Sequence, residues 1–251
     1  MDLPDDGRGG FLEKRFGRQC QRLALLACLG IAGLPALAEP VGDLRSIEAA
    51  ASRDGVPGWE IRTDRGVRLR VDLLRADTVR VQAGRHGRLS PAGDKAAPIV
   101  LPQPVQAPAF AYEEDAQEVR IRTDALELRI GRRPLRLALA RVAQGAVEPL
   151  WRELQPLDLD EGQGVQVLSS DAGEHFYGGG QQNGRFAFKG RELEISYSGG
   201  WEEGDRPSPA PMLLSSRGWG MLRNTWSDGS YDLRQPDQAT LLHREDRKSV
   251  V

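Results

Sequence analysis

Cysteine is confined to the first 28 residues, at Cys20 and Cys28, and histidine occurs only at His86, His175 and His243. The rest of the chain therefore offers no thiol for a disulfide, a zinc finger or an iron–sulfur cluster, and its stability has to come from packing. H-E-x-x-H is absent and the histidines lie far apart in sequence, so no metal site and no cofactor is expected. An excess of positive charge is missing as well. With 34 Lys and Arg against 36 Asp and Glu, the formal charge of −2 gives no footing for a nucleic acid. Gly178-Gly179-Gly180 stands in neither a Walker nor a dinucleotide-binding pattern, and no G-x-S-x-G elbow occurs. After residue 40 there is no apolar stripe of helical period about ten residues long.

The first 38 residues differ from the rest. Arg15, Arg18 and Arg22 precede the apolar run Leu23 to Ala32, and Ala36-Leu37-Ala38 supplies small residues where a signal peptidase reads. That is the layout of a secretory signal cleaved after Ala38, which implies a secreted or periplasmic protein. An N-terminal anchor or a buried helix is the alternative, and lipidation at Cys28 a further one. The run is short for a bilayer, and Gly33 and Pro35 interrupt it, so the mature chain from residue 39 to 251 is expected to hold no stable membrane span.

Beyond a polar approach containing Pro40, Gly42, Gly55, Pro57 and Gly58, the period is two. Trp59, Ile61 and Thr63 alternate with Glu60 and Arg62. Asp64-Arg65-Gly66 marks a turn, and Val67, Leu69, Val71 and Leu73 alternate with Arg68, Arg70 and Asp72. Thr78 to Val81 reads as another strand. Pro91 to Pro108 reads as loop. Alternation returns at Val119, Ile121 and Thr123, at Leu126, Leu128 and Ile130, and at Leu135, Leu137 and Leu139. The phrase Ile61-Arg62-Thr63-Asp64 recurs as Ile121-Arg122-Thr123-Asp124, which predicts the same hairpin chemistry used twice. Arginines between the apolar positions are expected on the wet faces of sheets. The fold class that follows is all-β, a large antiparallel β-sandwich burying one apolar face of each sheet.

From Glu174 to Leu233 glycine, aromatic and acidic residues crowd together, as strands joined by shaped loops beside a ligand surface would require. Glu202, Glu203 and Asp205 follow Trp201 within a loop flanked by Gly199, Gly200 and Gly204. An aromatic plate beside carboxylates suits a sugar, whose C–H face stacks on the ring while its hydroxyls donate to the acids. A solvated acidic turn is the other reading of the same residues. A glycosidase pair needs two carboxyl groups roughly 5–10 Å apart across the bond, and acids adjacent on one loop do not demonstrate that. Asp205 is expected to be exposed, with Pro207-Ser208-Pro209-Ala210-Pro211 stiffening the loop's exit.

Glu174-His175-Phe176-Tyr177-Gly178-Gly179-Gly180, Asn183-Gly184, Lys189-Gly190 and Pro209-Ala210-Pro211-Met212-Leu213-Leu214-Ser215-Ser216-Arg217-Gly218-Trp219-Gly220 together resemble glycoside hydrolase family 31. They look like the N-terminal, galactose-mutarotase-like β-sandwich of its α-glucosidases and α-xylosidases, over residues from about Trp59 to Leu233. The resemblance implies retaining hydrolysis of an α-linked oligosaccharide or glycoside. It places both catalytic aspartates in a (β/α)8 barrel that follows this domain, so no catalytic residue is assigned here. The chain is accordingly expected to be an N-terminal portion, truncated or frameshifted before the barrel and silent by itself. By the same resemblance the loop Trp201 to Asp205 lines the substrate pocket, with Asp205 or Glu203 contacting a sugar hydroxyl beside Trp201. A stand-alone carbohydrate-binding sandwich is the alternative. A mutarotase-like epimerase shares the fold, but His175 in a glycine-rich turn is a poor base for it.

Overall fold

The computed structural model describes residues 40–53, 55–86, 89, 106–160, 163–225 and 227–244. The segment expected to be a secretory signal, most of the stretch from Pro91 to Pro108 and the residues after Arg244 lie outside them. Strands β1 (Leu44–Arg53), β2 (Val56–Thr63), β3 (Arg68–Arg75) and β4 (Thr78–Gly84) form one sheet in sequence order. Strands β5 (Ala111–Glu114), β6 (Glu118–Arg122), β7 (Leu126–Arg132), β8 (Leu135–Ala143) and β9 (Ala146–Arg152) form a second meander. The next are β10 (Asp158–Asp160), β11 (Gln163–Ser169), β12 (Phe176–Gln181), β13 (Glu192–Ile195) and β14 (Ser208–Ser215). The last are β15 (Trp219–Leu222), β16 (Gly229–Asp232) and β17 (Gln238–Arg244). They make a sheet β10-β11-β17-β16-β13 and a smaller one, β12-β14-β15. Each pairing is antiparallel. Among the described residues there is no α-helix, and hence no (β/α)8 barrel and no helix long and apolar enough to cross a membrane.

The alternation seen in the sequence is the core pattern. Ile61, Leu69, Val71, Leu73, Val119, Ile121, Leu128, Ile130 and Leu135 are buried in one apolar cluster that draws on all four sheets. The recurring tetrapeptide has a physical reason. Thr63 ends β2 buried, and its hydroxyl accepts the Val67 N–H at 3.1 Å while its own N–H donates to Val67 O. Thr123, just past β6, accepts Ala125 N–H and Leu126 N–H at 3.1 and 2.9 Å, and its own N–H donates to Leu126 O. A buried threonine closes each hairpin and satisfies backbone groups that the turn would otherwise leave unpaired.

Several elements differ from expectation. The polar approach contains β1, ten residues paired along β2. The proline run is not a stiff loop exit but the start of β14, in the middle of its sheet. Proline is tolerated there because the β12–β14 ladder shifts register between Gly178 and Gly180, leaving Pro211 opposite the irregularity. The arginines of β3 are not all on a wet face. Arg70 and Asp72 are 3% and 0% exposed and bonded at 2.7 Å, with Arg80 donating to the second Asp72 oxygen at 2.9 Å. An aspartate so buried persists because its charge is fully partnered.

A second buried polar group joins the two five-stranded sheets. Glu153, just after β9, is 2% exposed and accepts Leu137 N–H at 2.8 Å and Gln166 Nε2–H at 2.6 Å, while Gln166 Oε1 accepts from Arg223 at 3.0 Å. Burial outweighs these bonds and pushes the Glu153 carboxyl up to about 7. His243 on β17 is buried edge-on to Tyr231, and neither ring nitrogen has a partner among the described residues. Burial, with the Arg223 charge nearby, pulls its imidazole down to about 3.

These groups have opposite linkage. The folded state holds the Glu153 proton from about 7 down to the ordinary 4.5, where the unfolded chain has lost it, so this contribution falls as pH rises. The unfolded chain protonates His243 below 6.5 and the folded one only near 3, so that contribution falls with acidification. Stability is expected to be nearly level from pH 4.5 to 6.5 and to fall below it. Glu153→Gln should make it decline from pH 6.5 downward, and His243→Phe should make it rise on acidification from pH 7 by up to about 3 kcal/mol. Urea melts across the pH range check both.

Candidate functional site

The segment that carries the sequence signature is built around Glu174. Its carboxylate is 1% exposed and accepts from the Ser215 hydroxyl, from Trp219 Nε1–H at 2.9 Å and from Asp171 N–H at 3.1 Å. The neighbouring His175 N–H donates to Ser216 Oγ at 3.0 Å, and Ser216 N–H donates back to His175 O at 2.9 Å. Trp219 packs edge-on to Phe176 and to Trp151. Glu174, Ser215 and Trp219 therefore tie the entrance of β12 to the β14–β15 hairpin. Their partners are one another, not a ligand.

The triple glycine has a steric cause. A Cβ at Gly178 would stand 2.5 Å from Met212 O, one at Gly180 2.3 Å from Ser208 O, and one at Gly179 2.6 Å from Leu193 Cδ1. All three have positive φ. Close approach of β12 to β14 and β13 demands glycine here.

β12 leads into the turn at Asn183-Gly184, and the loop from 196 to 207 joins β13 to β14. Asn183 N–H donates to Asp205 O at 3.0 Å, and Gly204 N–H donates to Asn183 O at 3.1 Å, which clamps the two loops together. At the loop's neck Ser198 and Arg206 exchange backbone bonds of 3.2 Å each. The Arg206 side chain is held by Ser196 O at 3.0 Å and by Glu194 at 2.8 Å.

Within this frame Asp205 is half-buried, not exposed as expected. Its Oδ2 accepts Glu202 N–H at 3.0 Å, and its own N–H donates to Glu202 O at 3.1 Å. Gly200, at φ +133°, lies so close that a Cβ would stand 2.0 Å from the same oxygen. Glu203 is exposed and lays its stem over Gly184, where a Cβ would meet its Cγ at 2.6 Å. Trp201 is 81% exposed. The structure thus holds all three residues on one loop, with Asp205 partly engaged in the turn and Trp201 and Glu203 open to solvent.

Two exposed rings were missed in the sequence, Phe186 (81% exposed, 5.3 Å from Tyr177) and Tyr197 (72%). Their polar and glycine neighbours in the loops were the available signal. No group of three or more His, Cys, Asp or Glu among the described residues could hold a metal ion.

An antiparallel sandwich of this build is a galactose-mutarotase-like domain. Residues 68–232 match the family model of the glycosyl hydrolase 31 N-terminal galactose mutarotase-like domain, and the chain belongs to that family. Similar solved structures include the family-31 dextranase of Flavobacterium johnsoniae complexed with isomaltotriose, with a TM-score of 0.70, 14% identity and coverage of 82% of this chain and 25% of that one. The cycloalternan-forming enzyme of Listeria monocytogenes, with a pentasaccharide substrate, gives 0.64 and 16%, covering 84% and 20%. A family-31 α-xylosidase from a soil metagenome, complexed with xylose, gives 0.60 and 19%, covering 79% and 31%. The chain thus spans between a fifth and a third of these proteins' lengths. No curated protein sequence matches it.

Gly200→Ala should displace the Asp205 carboxylate and loosen the loop while leaving the core intact. Limited proteolysis is expected to cut within residues 198–206 several-fold faster in the variant, with the global urea midpoint changed little. Unchanged cleavage would show that the loop does not depend on this close approach.

Proposed function

We propose that this chain is the N-terminal portion of a secreted or periplasmic retaining α-glycosidase, an α-glucosidase or α-xylosidase, whose loop 196–207 contacts an α-linked oligosaccharide. The aspartate nucleophile and acid/base would belong to a following (β/α)8 barrel, so the described residues bind and orient but perform no covalent step. The observation that carries the reading is the clamped loop presenting Trp201, Glu203 and Asp205 within a chain of this family. Trp201 would stack on a sugar face. Asp205 keeps Oδ1 available for a hydroxyl while Oδ2 holds the turn, and Glu203 stands beside it.

The chain alone is expected to release no product from aryl α-glucosides or α-xylosides. Turnover that survives repeated purification would overturn the reading. Calorimetry with maltose, isomaltose and xylosyl-glucose should give binding weaker than about 1 mM, because a sugar site needs converging contacts and the barrel's share is absent. The exposed rings of Phe186, Tyr197 and Trp201 favour a second reading, a self-sufficient carbohydrate-binding module. Saturable binding well below 1 mM by the isolated chain would select it.

In an enzyme rebuilt by joining this sandwich to a family-31 barrel, Asp205→Asn should lower kcat/KM by about 1.5–3 kcal/mol, the scale of a charge-assisted hydrogen bond. Asparagine retains an acceptor for Glu202 N–H, so the loop should persist. Trp201→Ala should lower activity too. Unchanged kcat/KM in both variants would remove the loop from the substrate pocket.

A further inference from the structure

A second site, made of other residues, opens on the first sheet. A cleft of about 350 Å³ is lined by Arg45, Ser46, Arg62, Thr63, Gly66, Val67 and Arg68. Its position follows from strand register. Ser46 on β1 stands opposite Arg62 on β2, and Arg62 stands opposite Arg68 on β3, giving a row across three strands. Arg45 is an extra residue in β1, where the ladder shifts register between Leu44 and Ser46. Such a bulge re-aims a side chain, and this one brings a further guanidinium to the cleft.

The arrangement is electrostatically unfinished. Like charges directly opposite on adjacent strands oppose the pairing, yet Arg62 and Arg68 face each other. Arg68 is answered by Glu60. Among the described residues Arg45 and Arg62 have no carboxylate within ion-pair distance, and Glu48, opposite Glu60 on the same sheet, reaches neither. Ser46 adds a hydroxyl with no hydrogen bond among those residues. The positive field is felt at Glu60, whose carboxyl is held below its ordinary value by the Arg68 hydrogen bond, with Arg62 and Arg70 adding to it.

We infer that the cleft between β1, β2 and the β2–β3 turn binds a single oxyanion (carboxylate, phosphate or sulfate) through Arg45, Arg62 and the Ser46 hydroxyl. Guanidinium forks match such groups bidentately. The anion would also relieve the repulsion between Arg62 and Arg68. Its source is either a free inorganic ion or an acidic group borne by a sugar.

The test is thermal denaturation of the full chain with inorganic phosphate, sulfate or glucuronate, against sodium chloride at matched ionic strength. A saturable rise in Tm of about 3–8 °C with at least one oxyanion and none with chloride is expected. A response to phosphate or sulfate identifies the free ion as sufficient, and one confined to glucuronate identifies the sugar-borne acid. Arg62→Gln and the pair Arg45→Gln/Arg62→Gln should abolish the rise. Arg234→Gln, which removes a guanidinium paired with Asp232 elsewhere, should keep it. Both cleft arginines are exposed, so the variants should fold, and circular dichroism checks this. An equal rise in chloride, no rise with any oxyanion, or a rise that persists in the double variant would overturn the proposal.

Discussion

A carboxylate without water must be surrounded by donors, and Glu174 meets that demand by recruiting Ser215, Trp219 and the Asp171 backbone. Its neighbours then have little freedom. Trp219 must pack edge-on to Phe176, and the start of β12 must lie beside the end of β14. That in turn drives the β12 backbone so close to β14 and β13 that only glycine fits at 178, 179 and 180. Removing the glutamate would leave an indole N–H and a hydroxyl buried without acceptors, which is costlier than never having had them.

The consequences reach the loop. Because β12 ends where it does, its turn offers Asn183 at the height of Asp205, and the two loops close on each other through backbone bonds. The clamp uses no side chain of Trp201, Glu203 or Asp205, so those side chains ride on a frame they do not build, apart from the one Asp205 oxygen that caps Glu202. A ligand bound there, as proposed, would pay little entropy for ordering the loop.

The sequence showed the long two-residue periods plainly, because β2, β3, β6 and β7 each bury one apolar face and alternate it with polar residues. It hid β1, whose Ala, Glu and Arg residues have weak strand preference and which is held by its pairing with β2. It hid β14 behind prolines that ordinarily exclude a central strand, since a register irregularity is a property of two strands together and not of either alone. The acidic loop was visible as composition. The half-burial of Asp205 was not, because it depends on how near Gly200 comes. The unpartnered imidazole of His243 and the raised carboxyl of Glu153 are likewise products of burial between sheets, which no local pattern encodes.

The residues that make this chain recognisable and those proposed to touch a ligand are therefore different sets with different physical duties. Glu174, Ser215, Trp219 and the triple glycine satisfy packing and hydrogen bonding, and any substitution there is felt by the core. Trp201 and Glu203 face solvent and can change without disturbing it. Under the proposed function, such a division would let the loop change its ligand contacts while the frame is kept.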